Sequence, residues 1–526
     1  MNAETNITFI TQDGKHVAVP WHAGLSNAVP HARPFEWKGS RMLLMPNSVD
    51  EARIARNVGI PVPSPILTRY DWCGSKPWDI QRDTAALLTE SPRCYVLSSM
   101  GTGKTRSVLF ALDHLMRTGQ VQRALIVAPL STLTPVWERE LLQLGMTHRR
   151  GVRILYGSRE KRLQLLSEDV QICVVNHHGL KVLGDEVKFA GFDVVVLDEL
   201  AVYRSRRTDL WHAANNLIST PGVKYAWGLT GSPTPNAPTD AWAQIRLITP
   251  ERTGRSFVHF RDQTMRRLTQ FKWVTKPGAN ELIRQTMQPA VRYTRDDVME
   301  LPPCSVVDRS VKLDADAAKA YSMLYNKARI LTQDNESISA VNQGVLHNKL
   351  LQVSCGFLYT DSHTVYALPN TGRLSALAEV MEETDRKVIV LVPFLHALTG
   401  VATHLRNKGH DIAVVHGGTT RAARDKIFNS FQLEASPRII VAHPQTLQHG
   451  LTLTEANTII WYSPTTSNET YEQANARINR PGQLHKTLIV HLIATPIEQA
   501  TYTRLRAKQR MQGCLLDLFH KQKNAF

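Results

Sequence analysis

The segment Ser98-Ser-Met-Gly-Thr-Gly-Lys-Thr105 holds the residue types that grip a polyphosphate, in a workable order. Two glycines let backbone N–H groups wrap phosphate oxygens, a lysine reaches the β and γ oxygens, and the hydroxyl beside it offers a ligand to Mg²⁺. Such a loop works between a strand and a helix, whose first turn aims N–H groups at the anion. The apolar run Arg93–Ser99 and the helical spacing of Arg106–Arg117 supply that setting. Gly101, Thr102, Gly103, Lys104 and Thr105 are therefore expected to bind a nucleoside triphosphate, with Lys104 also catalytic.

Two further constellations fit hydrolysis. Asp198 and Glu199 end the apolar run Asp193–Leu197. There Asp198 would hold Mg²⁺ with Thr105, and Glu199 would orient and deprotonate the attacking water. Acidic pairs are common on solvated faces, but the strand before this one and the phosphate loop upstream favour catalysis. Gln473, Arg477 and Arg480 stand at i, i+4 and i+7, so one helix would present an amide and two guanidiniums on one face. Two arginines can neutralise charge developing on a γ-phosphate. By spacing alone, an exposed basic face explains them equally well.

The elements that must position these groups follow from the chain's texture. Short β-branched runs at Ala124–Ala128, Val170–Val175, Asp193–Leu197 and Lys224–Leu229 alternate with helical periods such as Thr134–Leu144. A second series runs through Lys387–Leu391, Asp411–Val415, Arg438–Ala442, Asn457–Trp461 and Lys486–Val490. This is an α/β pattern with two doubly wound parallel-sheet lobes, helical insertions and a small N-terminal module. The expected divisions are 1–68 for the module, 69–300 for the first lobe and 301–526 for the second, with Leu301-Pro-Pro303 as the hinge. Arg255–Asn370 reads as mostly helical.

At 526 residues the chain has ample length for full cores, and 43% hydrophobic with 21% charged residues argues against wholesale disorder. No apolar run reaches the roughly 18 residues of a membrane span, and residues 1–8 do not read as a secretion signal. Six scattered cysteines without a C-x-x-C pair argue against a zinc site or disulfide framework and fit a reducing cytoplasm. The net charge of +16 suggests a polyanionic partner or a solubility surplus.

Taken together, these motifs resemble helicase superfamily two, and within it the Snf-type double-stranded-DNA translocases, most like compact phage-encoded members. Met100–Thr105 is similar to motif I, Ala128–Leu133 with Trp137 to motif Ia, Asp198–Ala201 to motif II and Leu229–Asn236 to motif III. Gly450–Ala456 resembles motif V and Gln473–Gln483 motif VI. Lys76–Gln81 is similar to the segment whose glutamine, here Gln81, reads adenine, and Tyr293–Pro302 to the stretch where such chains leave the first lobe. The resemblance implies two RecA-like lobes, ATP and Mg²⁺, and DNA-stimulated hydrolysis. Gln473, Arg477 and Arg480 would complete the site, and Thr230, Gly231, Ser232 and Gly450 would couple it to DNA. Ala201 stands where the family has histidine, Asn479 also replaces histidine, and Thr452 replaces asparagine. None of these changes removes a catalytic group.

A translocase grips phosphates rather than base edges. Motif carry-over assigns that contact to Ser131, Thr132, Asn176, His177, Gly417 and Thr446. Arg266–Lys276, four basic residues interleaved with Phe271 and Trp273, would form a helical protrusion touching DNA or a plain basic surface. Arg504, Arg506, Lys508 and Arg510 would lie on a solvated tail. The expected partner is duplex or branched DNA, engaged by a monomer in the cytoplasm, with no membrane. Two alternatives stay open: a fork-remodelling or annealing helicase, and a non-enzymatic scaffold with a vestigial motor. For the first, deleting residues 1–68 is expected to abolish branch activity and spare hydrolysis.

Overall fold

A computed structural model of the chain describes residues 8–269, 273–297, 302–333, 340–359, 364–447, 452–480 and 482–520. Gly450, Phe271 and Leu301 lie outside these residues. The chain divides into two compact units: 1–266, 275–298 and 514–526 form one, and 267–274 with 299–513 the other. Residues 8–68 therefore group with the first lobe, as do residues 514–520.

The first unit is built on seven strands in the spatial order 290–291, 93–96, 225–229, 194–198, 124–128, 172–176, 152–155. Every pairing is parallel. Parallel strands need crossover connections, and the covering helices bury both faces. Tyr95, Leu97, Leu125 and Val127 enter one apolar cluster, while Cys94, Val96, Ile126 and Ala128 enter another on the opposite face. That two-sided burial explains why these strands read as unbroken apolar runs. The second unit repeats the plan with six parallel strands ordered 304–310, 487–493, 456–461, 387–391, 439–442, 412–415. Its sheet too is buried on both faces, Val388 and Val390 on one and Ile389 and Leu391 on the other.

The N-terminal segment forms a four-stranded antiparallel sheet, ordered 9–10, 16–20, 40–46, 33–37, covered by the helix Val49–Asn57. It has its own apolar cluster of Val17, Val19, Leu43, Met45, Ala52 and Ala55. It is also fastened to the first lobe. Arg53 donates to the carbonyls of Thr89 and Glu90 at 2.8 and 2.7 Å and to the Tyr225 hydroxyl at 2.7 Å, and Arg56 pairs with Glu90.

Three expectations are corrected. Basic segment 266–276 contributes the strands Met265–Arg267 and Trp273–Thr275 of a two-stranded sheet rather than a helix. Trp273 and Val274 are β-formers, and tertiary pairing outweighs the helical spacing. The basic residues at 504–510 lie on the helix Pro496–His520, not on a tail, with Arg506 paired to Asp308. Finally, the helix carrying Gln473 ends at Asn475, so Gln473, Arg477 and Arg480 do not share a helix face. Among the described residues, no helix is long and apolar enough to cross a membrane.

Candidate active site

The strands 93–96, 225–229 and 194–198 are neighbours and run parallel, so their C-terminal ends lie side by side. In an open α/β sheet that edge is where ligands bind. The phosphate loop leaves the first strand, the segment Thr230–Ser232 leaves the second, and Asp198 and Glu199 end the third.

The loop runs into the helix Lys104–Arg117 through Gly103, whose φ of 75° favours glycine. A second constraint acts there. A β-carbon on Gly103 would lie 2.0 Å from Nε2 of Gln81, so any side chain would collide with the glutamine expected to read adenine. Gln81 is itself fixed, since its Oε1 accepts the Trp78 N–H at 3.0 Å. Lys104 donates to the carbonyls of Ser98 and Ser99 at 2.8 and 3.1 Å. Burial lowers its pKa, while the carboxylates of Glu199 and Asp198 oppose that shift. Burial raises the pKa of Asp198, and Lys104 pulls it back.

Asp198 is aimed by two donors: its Oδ2 accepts Trp137 Nε1 at 3.1 Å and its Oδ1 the backbone N–H of Glu199 at 3.1 Å. Glu199 adopts φ 53°, ψ 55°, the left-handed region that a glutamate enters at a cost of about 1–2 kcal/mol. Such strain concentrates where a side chain must be aimed. Thr230 N–H bonds Val96 O at 3.0 Å, and a β-carbon on Gly231 would sit 3.6 Å from Ser98 O, so the expected coupling segment packs on the phosphate loop. Ser232 N–H donates to Thr230 Oγ1 at 3.1 Å.

The donor set suits Mg²⁺. Thr105 and Asp198 offer hard oxygens, and no cluster of three or more His, Cys, Asp or Glu exists among the described residues. A divalent ion here would take its other ligands from phosphates and water, as Mg²⁺ does.

In the second unit, Arg477 is 2% exposed and donates from Nε to Gln473 O at 2.9 Å. Gln473 is buried, and its Nε2 reaches Glu469 at 3.4 Å. Arg480 is less enclosed and donates to Thr452 Oγ1 at 3.2 Å, so the threonine found in place of asparagine holds this arginine. The turn is shaped by Gln483, whose Nε2 donates to the carbonyls of Thr454, Ala456 and Ile478.

Of the residues expected to touch DNA, Gly417 is exposed, Ser131 and Thr446 are half-buried, and Thr446 Oγ1 donates to His443 O at 2.7 Å. Thr132 is buried with its hydroxyl on Pro129 O. Asn176 and His177 are each 7% exposed, Asn176 Oδ1 accepting Arg162 at 3.0 Å and His177 Nδ1 facing Tyr203 Oη at 2.9 Å. Their side chains serve the interior of the lobe, which leaves main-chain groups for contacts at those two positions. Sequence reasoning missed Arg292 and Arg295 as neighbours of the phosphate loop. They lie almost two hundred residues away in the chain, and no spacing could reveal them.

The chain matches two known domain families. Residues 78–355 match the SNF2-related domain, and residues 372–482 match the helicase conserved C-terminal domain. A protein designated p41 from Acyrthosiphon pisum secondary endosymbiont phage 1 is 24% identical over 83% of this chain and 96% of its own length. The Uncharacterized ATP-dependent helicase MG018 of Mycoplasma genitalium is 26% identical over 75% of this chain, which spans only 37% of that relative. The human DNA annealing helicase and endonuclease ZRANB3 is 23% identical over 82% of this chain and 39% of its own length. Among solved structures, the Sulfolobus solfataricus SWI2/SNF2 ATPase core in complex with dsDNA covers 86% of this chain at 18% identity, with a TM-score of 0.41.

Proposed function

The chain belongs to the SNF2-related family of helicase-type ATPases, and from that premise we propose that it is a DNA-stimulated ATPase that translocates along double-stranded DNA. The observation that carries the reading is the meeting of Lys104, Asp198, Glu199 and Thr230–Ser232 at the ends of three adjacent parallel strands. On this reading the edge would bring a phosphate grip, a metal ligand, a base and a connecting segment together on one sheet. The net charge of +16 supports a polyanionic partner, and one relative bears the name of a DNA annealing helicase.

Backbone N–H groups of Gly101–Thr105 would bind the β and γ phosphates, and Gln81 would contact the adenine. Lys104 would leave the carbonyls of Ser98 and Ser99 for the phosphates, a compact ammonium exchanging neutral acceptors for charged ones. Thr105 and Asp198 would hold Mg²⁺, which supplies Lewis-acid charge neutralisation when bound. Glu199 would accept the proton of the attacking water. Arg480, with Arg477 shaping its turn, would neutralise charge on the γ-phosphate in the transition state. Thr230–Ser232, packed on the loop, would carry the change outward, and Gly450, which lies outside the described residues, would do so in the second lobe. Ser131, Thr132, Gly417 and Thr446, with the main chain at Asn176 and His177, would track the DNA backbone.

ATP hydrolysis measured side by side with duplex, single-stranded, forked and four-way DNA tests the proposal. Stimulation by duplex well above that by single strands is expected; equal rates with and without every DNA would sink it.

A second reading, remodelling of branched DNA, is favoured by one feature. The exposed hairpin of the N-terminal module carries Arg33, Lys38 and Arg41, with Arg41 stacked over Trp21 at 4.4 Å and Lys38 over Trp37 at 4.6 Å. A clear preference for junctions in the same assay supports it.

A further inference from the structure

The strand Ala290–Val291 forms the edge of the first sheet, paired in parallel with the strand that feeds the phosphate loop. Its hydrogen bonds continue past the regular strand. Tyr95 N–H bonds Pro289 O at 3.0 Å, Leu97 N–H bonds Val291 O at 2.8 Å, and Ser99 N–H bonds Tyr293 O at 2.9 Å. The pairing therefore runs into the phosphate loop itself. In the other direction, Tyr293 N–H donates to Ser98 Oγ at 3.0 Å.

Side chains complete the strap. Arg292 Nη1 donates to Leu97 O at 2.8 Å and to Ser99 Oγ at 3.1 Å, and Arg295 Nε donates to Met100 O at 3.0 Å. With Lys104 on Ser98 O and Ser99 O, every carbonyl from Leu97 to Met100 is held by a cationic side chain. Tyr293 Oη donates to Asp83 at 3.0 Å, on the helix Asp79–Glu90 that also carries Gln81. Thr294 donates from both N–H and hydroxyl to Asp297 Oδ2, at 2.7 and 2.8 Å, which closes the turn.

A phosphate loop must show its N–H groups to the ligand and turn its carbonyls away, because carbonyl oxygens repel the anion. If Lys104 moves to the phosphates, Ser98 O and Ser99 O lose their cation just as the anion arrives. Leu97 O and Met100 O, at the two ends of that stretch, keep theirs. We infer that Arg292 and Arg295 are positioning residues that hold the carbonyl side of the phosphate loop away from the nucleotide, so that the loop is shaped for ATP before ATP binds. The inference rests on the reading of this loop as an ATP site.

A preformed loop favours ground state and transition state alike, so its loss raises KM and Kd more than it lowers kcat. The test uses the full-length protein with wild type, Arg295→Ala, Arg295→Gln and Arg295→Lys. ATP KM and kcat are measured together with the Kd for a fluorescent ADP analogue and the melting temperature. Loss of a charged hydrogen bond predicts KM and Kd raised on the order of tenfold in the alanine and glutamine variants, with kcat at saturating ATP changing far less. Lysine restores one cationic donor to Met100 O and is expected to recover most of the affinity. Should the alanine variant fail to fold, the glutamine variant reads the same quantity with similar side-chain length. Unchanged Kd and KM with only a lower melting temperature would show a structural brace and overturn the inference. So would a fall in kcat at constant KM. Wild type that binds no adenine nucleotide overturns the ATP-site reading and this inference with it, whereas wild-type binding matched by Arg295→Ala overturns this inference alone.

Discussion

Glu199 shows most directly what the site asks of single residues. It occupies the left-handed region at φ 53° next to a carboxylate that Trp137 and its own backbone N–H hold in place. A side chain kept at that backbone cost is expected to act in the reaction rather than in the fold. Glu199→Gln should therefore bind nucleotide as wild type does and lose hydrolysis, measured by nucleotide titration and phosphate release. A glutamine variant that neither folds nor binds would make Glu199 structural. The two arginines of the second lobe separate in the same way. Arg477, 2% exposed with its Nε on Gln473 O, is part of the lobe's interior, whereas Arg480 is only half-buried and donates to Thr452 Oγ1. Arg480→Ala should lower kcat on the order of 10³ with little change in ATP affinity or melting temperature, and Arg480→Lys should rescue poorly because an ammonium lacks the planar fork. Normal turnover in Arg480→Ala would return it to the status of a basic surface residue.

At the scale of elements, what could be read in advance follows from burial on two sides. Strands such as Val194–Asp198 and Lys387–Leu391 are covered on both faces, so their apolar runs announce them. The strand Cys304–Ser310 is almost wholly exposed at a sheet edge and carries no such pattern, so it was invisible beside the prolines that precede it. The end of the helix at Asn475 was equally hidden, because it is enforced from a distance: Asn475 Oδ1 accepts Trp461 Nε1 at 2.9 Å, and Gln483 ties Ile478 O, in the turn that follows, to the carbonyls of Thr454 and Ala456. The same helix depends on His491, whose Nε2 meets Tyr471 Oη at 2.9 Å and whose Nδ1 meets Asp308 at 2.9 Å, with Tyr502 stacked on its ring and Arg506 nearby. Burial pulls the pKa of His491 down to about 4, and this outweighs the opposing effect of Asp308. Its folded pKa thus lies below the ordinary 6.5 of the unfolded chain, so the unfolded state binds the extra proton first. This contribution to stability is complete above about pH 6.5 and is lost as pH falls toward 4, a change of at most about 3 kcal/mol. Denaturant melts between pH 7 and 4.5 should show that decline in the wild type and a shallower one in His491→Gln; identical slopes would remove His491 as its source.

Across the whole molecule, the N-terminal module poses the sharpest question, since it owns a sheet and a core yet is packed into the first lobe. Val49 and Ile66 lie in the apolar cluster of the first lobe, at 2% and 0% exposure, beside Leu88, Cys94 and Val108 of the helices and strand that carry the site. Deleting residues 1–68 would remove both, at about 1.5–3 kcal/mol for each buried side chain, together with the Arg53 and Arg56 contacts to Thr89, Glu90 and Tyr225. Against a total stability of about 5–15 kcal/mol, that loss is large. The deletion should therefore lower the melting temperature and impair hydrolysis on every DNA, contrary to the expectation that it spares the motor, and it cannot isolate a branch-specific role. A charge change can. Arg33, Lys38 and Arg41 lie exposed on the hairpin, and replacing all three with serine leaves the residues Val49, Ile66, Arg53 and Arg56 themselves unchanged. If this hairpin grips branched DNA, the triple variant should keep duplex-stimulated hydrolysis within about twofold, while stimulation by a four-way junction falls by on the order of tenfold at moderate salt and recovers as salt is reduced, as phosphate contacts require. Equal losses on duplex and junction would assign the hairpin to general DNA affinity, and no loss on either would leave the module a structural part of the first lobe.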